Sequence, residues 1–399
     1  MMLETWLFEI LKGIGRLFVN PLLYWTIILL FIMGYRRIRK ERNDFGRKIY
    51  GYFTEIKGTF LLMVISSIII SLFIIVSGLA LSMEVMVVWI VVMLLFSMFG
   101  AASLLSASYT VGMTTILLMI LPFIQPYIEN AYLDFTTVTM EHYVSLTVLV
   151  ALLLLVEAML LSFTKEKQSF PKLYMSDRGV LVGHHQLKRM IFLPFFLFFP
   201  TEYVSGIAPI LPYFQFGEQT FSLILFPVLL GYRYEVQSML PKEAVLKLAK
   251  QTYVLSIIVL LGAIASIYYP FAAFFTLLVA LLGKEWMTYR HRVSERQKSA
   301  MFRPLDRGVK VLAMVPNSPA DRLDIEIGEV ILKVNEQVVS NSQSFYAALQ
   351  KSTANFKLDV VSHDGEVRFV HGTYFAEEPH ELGILFIEER YTRREEASV

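Results

Sequence analysis

The sequence predicts a polytopic α-helical membrane domain of about nine hydrophobic segments, followed by a C-terminal α+β domain. Three observations carry that reading. The 399-residue chain is 55% hydrophobic and only 18% charged, whereas soluble domains carry roughly 25% charged residues. Its charge is unevenly spread, with 43 charged side chains in residues 1–300 and 27 in residues 301–399. The sign also changes, from 25 basic against 18 acidic residues before 301 to 11 against 16 after it. A soluble enzyme and a disordered chain are both excluded by this division. The absence of cysteine excludes disulfides, Cys-ligated zinc and thiol catalysis, and a net charge of +2 is too small to suggest nucleic acid.

A helix crossing the hydrocarbon core needs about 20 mostly apolar residues. The windows 17–35, 59–81, 84–100, 103–124, 143–163, 190–212 and 219–238 qualify. The stretch 251–283 is too long for one span, and Tyr268-Tyr269-Pro270 divides it into a hairpin of 251–268 and 270–283. Lys and Arg concentrate in the loops 36–57, 164–189 and 232–250 and in the exit 284–303, while the alternating loops, such as 125–142, have none. That asymmetry places the C-terminal domain in the cytoplasm. Residues 3–18 repeat Leu3, Trp6, Leu7, Ile10, Leu11 and Ile14 at helical spacing. They read as an interfacial helix or as one arm of a re-entrant hairpin with 19–34, which leaves the N-terminal side open. The charge distribution and the missing small-residue cleavage site argue against a cleavable signal in residues 1–35. The division is therefore a transmembrane domain (1–283), a basic linker helix (284–301), a compact domain (302–375), and a C-terminal strand with a charged tail (376–399).

From 303 the pattern changes to short apolar runs bounded by turn residues. Val309–Val315 and Gly328–Val334 read as strands, with a short capped helix at Asn317–Leu323 between them. Asn335-Glu336 turns into Gln337–Val339, Ser342–Gln350 is a helix, and Phe356–Ser362 with Glu366–Tyr374 forms a hairpin. The motifs Gly308-Val309, Ser318-Pro319-Ala320, Gly328-Glu329-Val330-Ile331 and Asn335-Glu336 resemble a bacterial PDZ domain. Glu329 and Glu336 depart from that family's usual Asp and Gly. The resemblance implies capture of an extended peptide, often a C-terminus, by strand addition. Carried onto this chain, Asp306-Arg307-Gly308 would form the carboxylate nest, with Arg307 assisting and Gly308 supplying an amide. The peptide would pair along Val309, Val311 and the residues up to Ala313. Phe345 and Leu349 would line its pocket, or else serve only as core. The terminal Ala397-Ser398-Val399 could itself enter such a groove.

Catalytic patterns are absent from the sequence. His184-His185 and His380-Glu381 lack the His-Glu-x-x-His spacing of a zinc protease, and neither Val76-Ser77-Gly78 nor Val204-Ser205-Gly206 has a rhomboid context. No metal or cofactor is implied, and the chain is read as a non-enzyme. The in-span carboxylates Glu157 and Glu202, the latter among several prolines, keep open a secondary transporter with a regulatory PDZ domain. Glu157 alone would be met by snorkelling to Lys165 or Lys167. A PDZ partner of a membrane protease is a further alternative. The loop 172–189 would dock on the C-terminal domain or act only as a basic loop, and the linker 284–301 would lie against anionic membrane lipid. The layout as a whole resembles the MinJ family of division topology factors of rod-shaped Gram-positive bacteria. That resemblance implies a membrane-anchored adaptor at septum and poles, linking a DivIVA-like polar protein to MinC and MinD.

Overall fold

The amphipathic N-terminal stretch forms α1 (Met2–Leu17) in a computed structural model that describes residues 2–98, 102–127, 133–176, 179–200, 214–216, 219–351, 355–373 and 382–387. Asn20 accepts from the Leu22 amide and Pro21 takes the first helical position, so α2 (Pro21–Phe45) starts as a separate element. There follow α3 (Phe60–Ser77), α4 (Met83–Met98), α5 (Ala107–Ile124) and α6 (Met140–Ser162). After the sheet described below come α7 (Pro241–Tyr268) and α8 (Ala272–Gln297). The chain reverses between α7 and α8 at Tyr269–Phe271, where Pro270 has no N–H to continue a helix. Among the described residues, five helices are long and apolar enough to cross a membrane: Pro21–Phe45, Phe60–Ser77, Ala107–Tyr127, Met140–Ser162 and Pro241–Tyr268.

The windows 190–212 and 219–238, expected as helical spans, are instead strands over their described residues up to Val236. Between α6 and α7 lie β1 (Phe170–Met175), β2 (Leu181–Pro200), β3 (Phe214–Phe216) and β4 (Gln219–Val236), in an antiparallel sheet of order β1-β2-β4-β3. Residues 201–213, with Glu202, lie outside the described residues. Hydropathy measures how apolar a segment is, not which way it hydrogen-bonds. Pro194 and Pro227 would each remove an intrahelical bond, but in the sheet they stand directly opposite one another. The parity of the ladder explains why this costs nothing. The Phe196 amide donates outward to Ser71 Oγ (3.0 Å), and the Phe198 oxygen accepts outward from the Leu81 amide (3.0 Å). Even-numbered positions of β2 therefore face away from β4, and Pro194 sits where no ladder donor is needed.

A long two-stranded ribbon has two polar edges, which are costly in an apolar setting unless protein covers them. Helices do so here. Along β2, Ser71 of α3, Leu81 beyond it and the Glu55 oxygen, which accepts from the Met190 amide (3.4 Å), fill the edge. Along β4, Arg16 of α1 donates to Ser222 Oγ (2.7 Å) and to the Leu223 oxygen (2.6 Å). Gly13 lets α1 approach: a Cβ there would lie 2.7 Å from the Phe196 ring. The apolar faces of β2 and β4 join α2–α8 in one core that includes Trp89, Leu146, Leu153, Phe195 and Phe226.

The C-terminal region holds β5 (Val309–Lys310), β6 (Ala313–Met314), a 3-10 turn at Pro319–Arg322, β7 (Val330–Val334) and β8 (Gln337–Val338). It continues with α9 (Ser342–Gln350), β9 (Asn355–Val361), β10 (Val367–Thr373) and β11 (Ile384–Leu385). One sheet runs β10-β9-β7-β5 with β8 on β7, and β11 pairs with β6 in a separate ribbon. Asn335 and Glu336 take φ of 45° and 67°, the left-handed pair that a two-residue hairpin between β7 and β8 demands.

Candidate functional site

The site grows from the β6–β11 ribbon and the helix beside it. Asn341 Oδ1 accepts from the Ser344 amide (2.7 Å) while Ser344 Oγ accepts from the Asn341 amide (3.1 Å), a reciprocal cap that starts α9 where the sequence predicts it. Phe345, Ala348 and Leu349 form the buried face of α9. The Phe345 ring meets Phe386 edge-on at 4.9 Å, and both belong to a core with Val311, Ile331, Leu358 and Ile384. Phe345 and Leu349 are therefore core side chains.

The segment after β10 is held by its carbonyl oxygens. Leu382 accepts from the Ala320 amide (2.9 Å), Gly383 from Val315 (2.8 Å) and Leu385 from Leu312 (2.8 Å). Gly383 has φ of 85°, and a Cβ there would lie 2.4 Å from Ser318, so glycine is required. Main-chain alternation then turns the polar groups of Ile384 and Phe386 away from β6 and toward α9. There the Tyr346 hydroxyl donates to the Ile384 oxygen (3.1 Å).

This arrangement corrects the expected peptide edge. The Val311 amide donates to Glu329 (2.8 Å), the Val311 oxygen accepts from Gly328 (2.8 Å), Leu312 bonds to Leu385 of β11, and Val315 bonds to Gly383 just before it. Val309 pairs with Ile331. A peptide therefore has no open ladder along Val311–Ala313. Nor is the expected nest available: the Gly308 amide donates to the Val339 oxygen (3.1 Å), while Asp306 and Arg307 remain exposed. The terminal residues Ala397–Val399 lie outside the described residues.

The opposite face of the ribbon packs on the first half of the chain. Ala313 and Leu385 share a cluster with Ile49, Tyr50 and Phe170. That platform is fixed by buried charge. Arg37 pairs with Glu41 (2.5 Å) and Glu55 (2.9 Å), Glu41 Oε2 accepts from the Ile49 (2.8 Å) and Tyr50 (3.1 Å) amides, and the guanidinium lies 4.8 Å from the Phe170 ring centre. The Arg37–Glu41 spacing of four was a readable signal for this network. Nearby, Gly183 donates to the Phe302 oxygen (2.9 Å) and Met301 to Gln237 (2.7 Å). Lys167 pairs with Asp321 (2.7 Å), and that hydrogen bond holds the Asp321 carboxyl below its usual range. The loop 172–189 thus docks on the C-terminal region. His185 is fully enclosed against Phe302, with Nδ1 2.8 Å from Ser169 Oγ. Burial, aided by neighbouring His184, pushes His185 down to about 3.

The second group singled out from sequence, Glu157, does not reach Lys165 or Lys167. It is buried against Lys284 of α8 (2.5 Å) and accepts from Ser106 Oγ (2.7 Å) at the start of α5. The adjoining cavity, lined by Ser103, Tyr232, Tyr234 and Lys284 among others, measures about 10 Å³, about the room of one water. Among the described residues no group of three or more His, Asp or Glu side chains could hold a metal ion.

No family model matches the chain. It is 30% identical over 387 residues, 96% of each chain, to the cell division topological determinant MinJ of Bacillus subtilis (strain 168). It is 25% identical over 402 residues, 94% of this chain and 98% of the relative, to a probable cell division topological determinant MinJ of Lacticaseibacillus paracasei, with the same figures for one from Lacticaseibacillus casei (strain BD-II). The match covers nearly the whole of both chains, and the chain belongs to the MinJ family of cell division topological determinants.

Proposed function

We propose that the protein is a membrane-anchored adaptor that helps set where the division septum forms. In this reading the helices α2–α8 make a multi-pass anchor, and the C-terminal region is a cytoplasmic PDZ-type module that captures a partner segment. The single observation that carries it is the half-paired strand β11: one edge is bonded to β6, and the other turns toward α9. A strand with one filled edge beside a helix is the arrangement that takes an extended peptide by strand addition. The Tyr346 hydroxyl on the Ile384 oxygen would be the group displaced. The buried Glu157–Lys284 pair and its one-water cavity favour a structural role over transport. The family's title as a topological determinant supports partners at septum and poles. The resemblance noted from sequence suggests a DivIVA-like polar protein on one side and MinC with MinD on the other.

Live-cell imaging of a fluorescent fusion tests the proposal. Full-length protein should collect at septa and poles and recruit its partners there. Ile384→Pro removes the groove-facing amide and should stay in the membrane yet lose recruitment. Tyr346→Phe, which only frees the Ile384 oxygen, should keep it. Uniform membrane signal with normal septum placement in a deletion strain would sink the adaptor reading.

A further inference from the structure

We infer that the crevice between α7 and α8 at their charged ends is a binding site for a phospholipid headgroup that carries both a phosphate and hydroxyl groups, of which phosphatidylglycerol is the simple case. The crevice has a volume of about 210 Å³ and is lined by Lys247, Gln251, Arg290, His291 and Ser294. That is smaller than the roughly 300–1,000 Å³ of typical small-molecule pockets and suits a headgroup-sized ligand.

Depth identifies the source of the phosphate. The α7–α8 turn lies at Tyr269–Phe271, and Lys247 and His291 stand about 20 residues from it on either side. At 1.5 Å per residue this is about 30 Å of helix, the thickness of the hydrocarbon core. With the turn at one membrane face, the crevice opens at the other face among headgroups. The outward faces agree: Val254, Ile257, Leu261 and Leu282 are exposed on the apolar side of that level, and Trp286 and Tyr289 stand exposed at it. Exposed Trp and Tyr mark the interface.

The chemistry of the lining supplies the rest. Lys247 and Arg290 are exposed cations with no ion-pair partner among the described residues, and would flank a phosphate. Below them two enclosed atoms lack hydrogen-bond partners, Gln251 Oε1 and His291 Nδ1, and His291 is only 5% exposed. His291 Nε2 lies 3.0 Å from the Glu235 oxygen, which can only accept, so this nitrogen carries the proton and neutral Nδ1 is an acceptor. Glu295, the nearby acid on α8, is already occupied by the Gln237 and Ser238 amides (2.7 and 2.8 Å). Two cations above two unfilled acceptors match a phosphate followed by hydroxyl donors. A choline headgroup offers no donor.

The inference rests on the membrane reading of the helices and not on the adaptor role. The test uses the full-length chain purified in detergent and native mass spectrometry with added phosphatidylglycerol, phosphatidylcholine, phosphatidic acid or soluble glycerol phosphate. Phosphatidylglycerol should be retained about tenfold more than phosphatidylcholine, with phosphatidic acid intermediate. Lys247→Gln with Arg290→Gln should abolish that preference. Arg36→Gln with Arg39→Gln, which removes the same charge from the exposed end of α2, should leave it intact. Gln251→Leu should lower phosphatidylglycerol to the level of phosphatidic acid. Equal loss in both double variants would mean diffuse attraction to a basic surface and would overturn the site. So would equal retention of phosphatidylglycerol and phosphatidylcholine. Retention of soluble glycerol phosphate as strong as that of the lipid would overturn the membrane lipid as its occupant.

Discussion

Residue-scale chemistry explains why charged side chains in apolar helices need not mark a transport path. Glu157 and Lys284 are both enclosed, and each relieves the other's desolvation while Ser106 adds a hydrogen bond. Removing one partner strands the other. Lys284→Met should lower stability by about 3–5 kcal/mol, and the double change with Glu157→Leu should recover most of it. Thermal unfolding in detergent measures both. A double variant as unstable as the single one would show that the loss lies in packing instead. The sequence flagged Glu157 but not its partner, because Lys284 lies more than a hundred residues away and only the folded chain brings α6 to α8.

At the scale of elements, the sequence told helix from loop well, and within the apolar part it told strand from helix poorly. The α7–α8 turn was readable because Pro270 and two interfacial tyrosines interrupt the apolar run, and α9 because Phe345, Ala348 and Leu349 fall on one helical face. The strands β2 and β4 were not, since an apolar run buried on both faces has no alternation to give it away. In the sequence the prolines of 190–212 read as breaks in a helical span, whereas Pro194 and Pro227 occupy a paired position in a ladder, which suits them better than a helix interior. The outward edge of β2 depends on borrowed partners. Ser71→Ala leaves the Phe196 amide without its acceptor and should destabilise by about 1–3 kcal/mol. Hydrogen exchange at Phe196 should rise accordingly. Unchanged protection would mean that some other group satisfies that amide.

Over the whole molecule, the C-terminal region is seated on a platform and not merely tethered to it. Gly183 illustrates the closeness of fit: a Cβ there would lie 2.6 Å from the Leu312 side chain and 3.2 Å from Phe302. His185 makes that seat acid-sensitive. Its folded value of about 3 lies below the ordinary 6.5. The folded state therefore prefers the neutral ring, and its contribution is complete above pH 6.5. As pH falls from 6.5 toward 3 the unfolded chain takes up the proton first, and stability drops by about 1.4 kcal/mol per pH unit. His185→Gln should flatten this slope relative to the parent protein, as followed by melting temperature against pH. Parallel profiles for the two would place the acid sensitivity elsewhere.

The sequence by itself determined how much of this chain is apolar, where its helices break, and which short segments of the last hundred residues become strands or helix. Those properties follow from local causes: side-chain hydropathy, missing amide donors, caps and turn residues. Only the tertiary structure decided that two apolar runs pair as strands, that Glu157 meets Lys284, and that β11 closes on β6 so that its other edge faces α9. Each of these is a choice of partner between residues far apart in the chain. A single segment's chemistry states that a polar group must be satisfied, and the fold alone states by what.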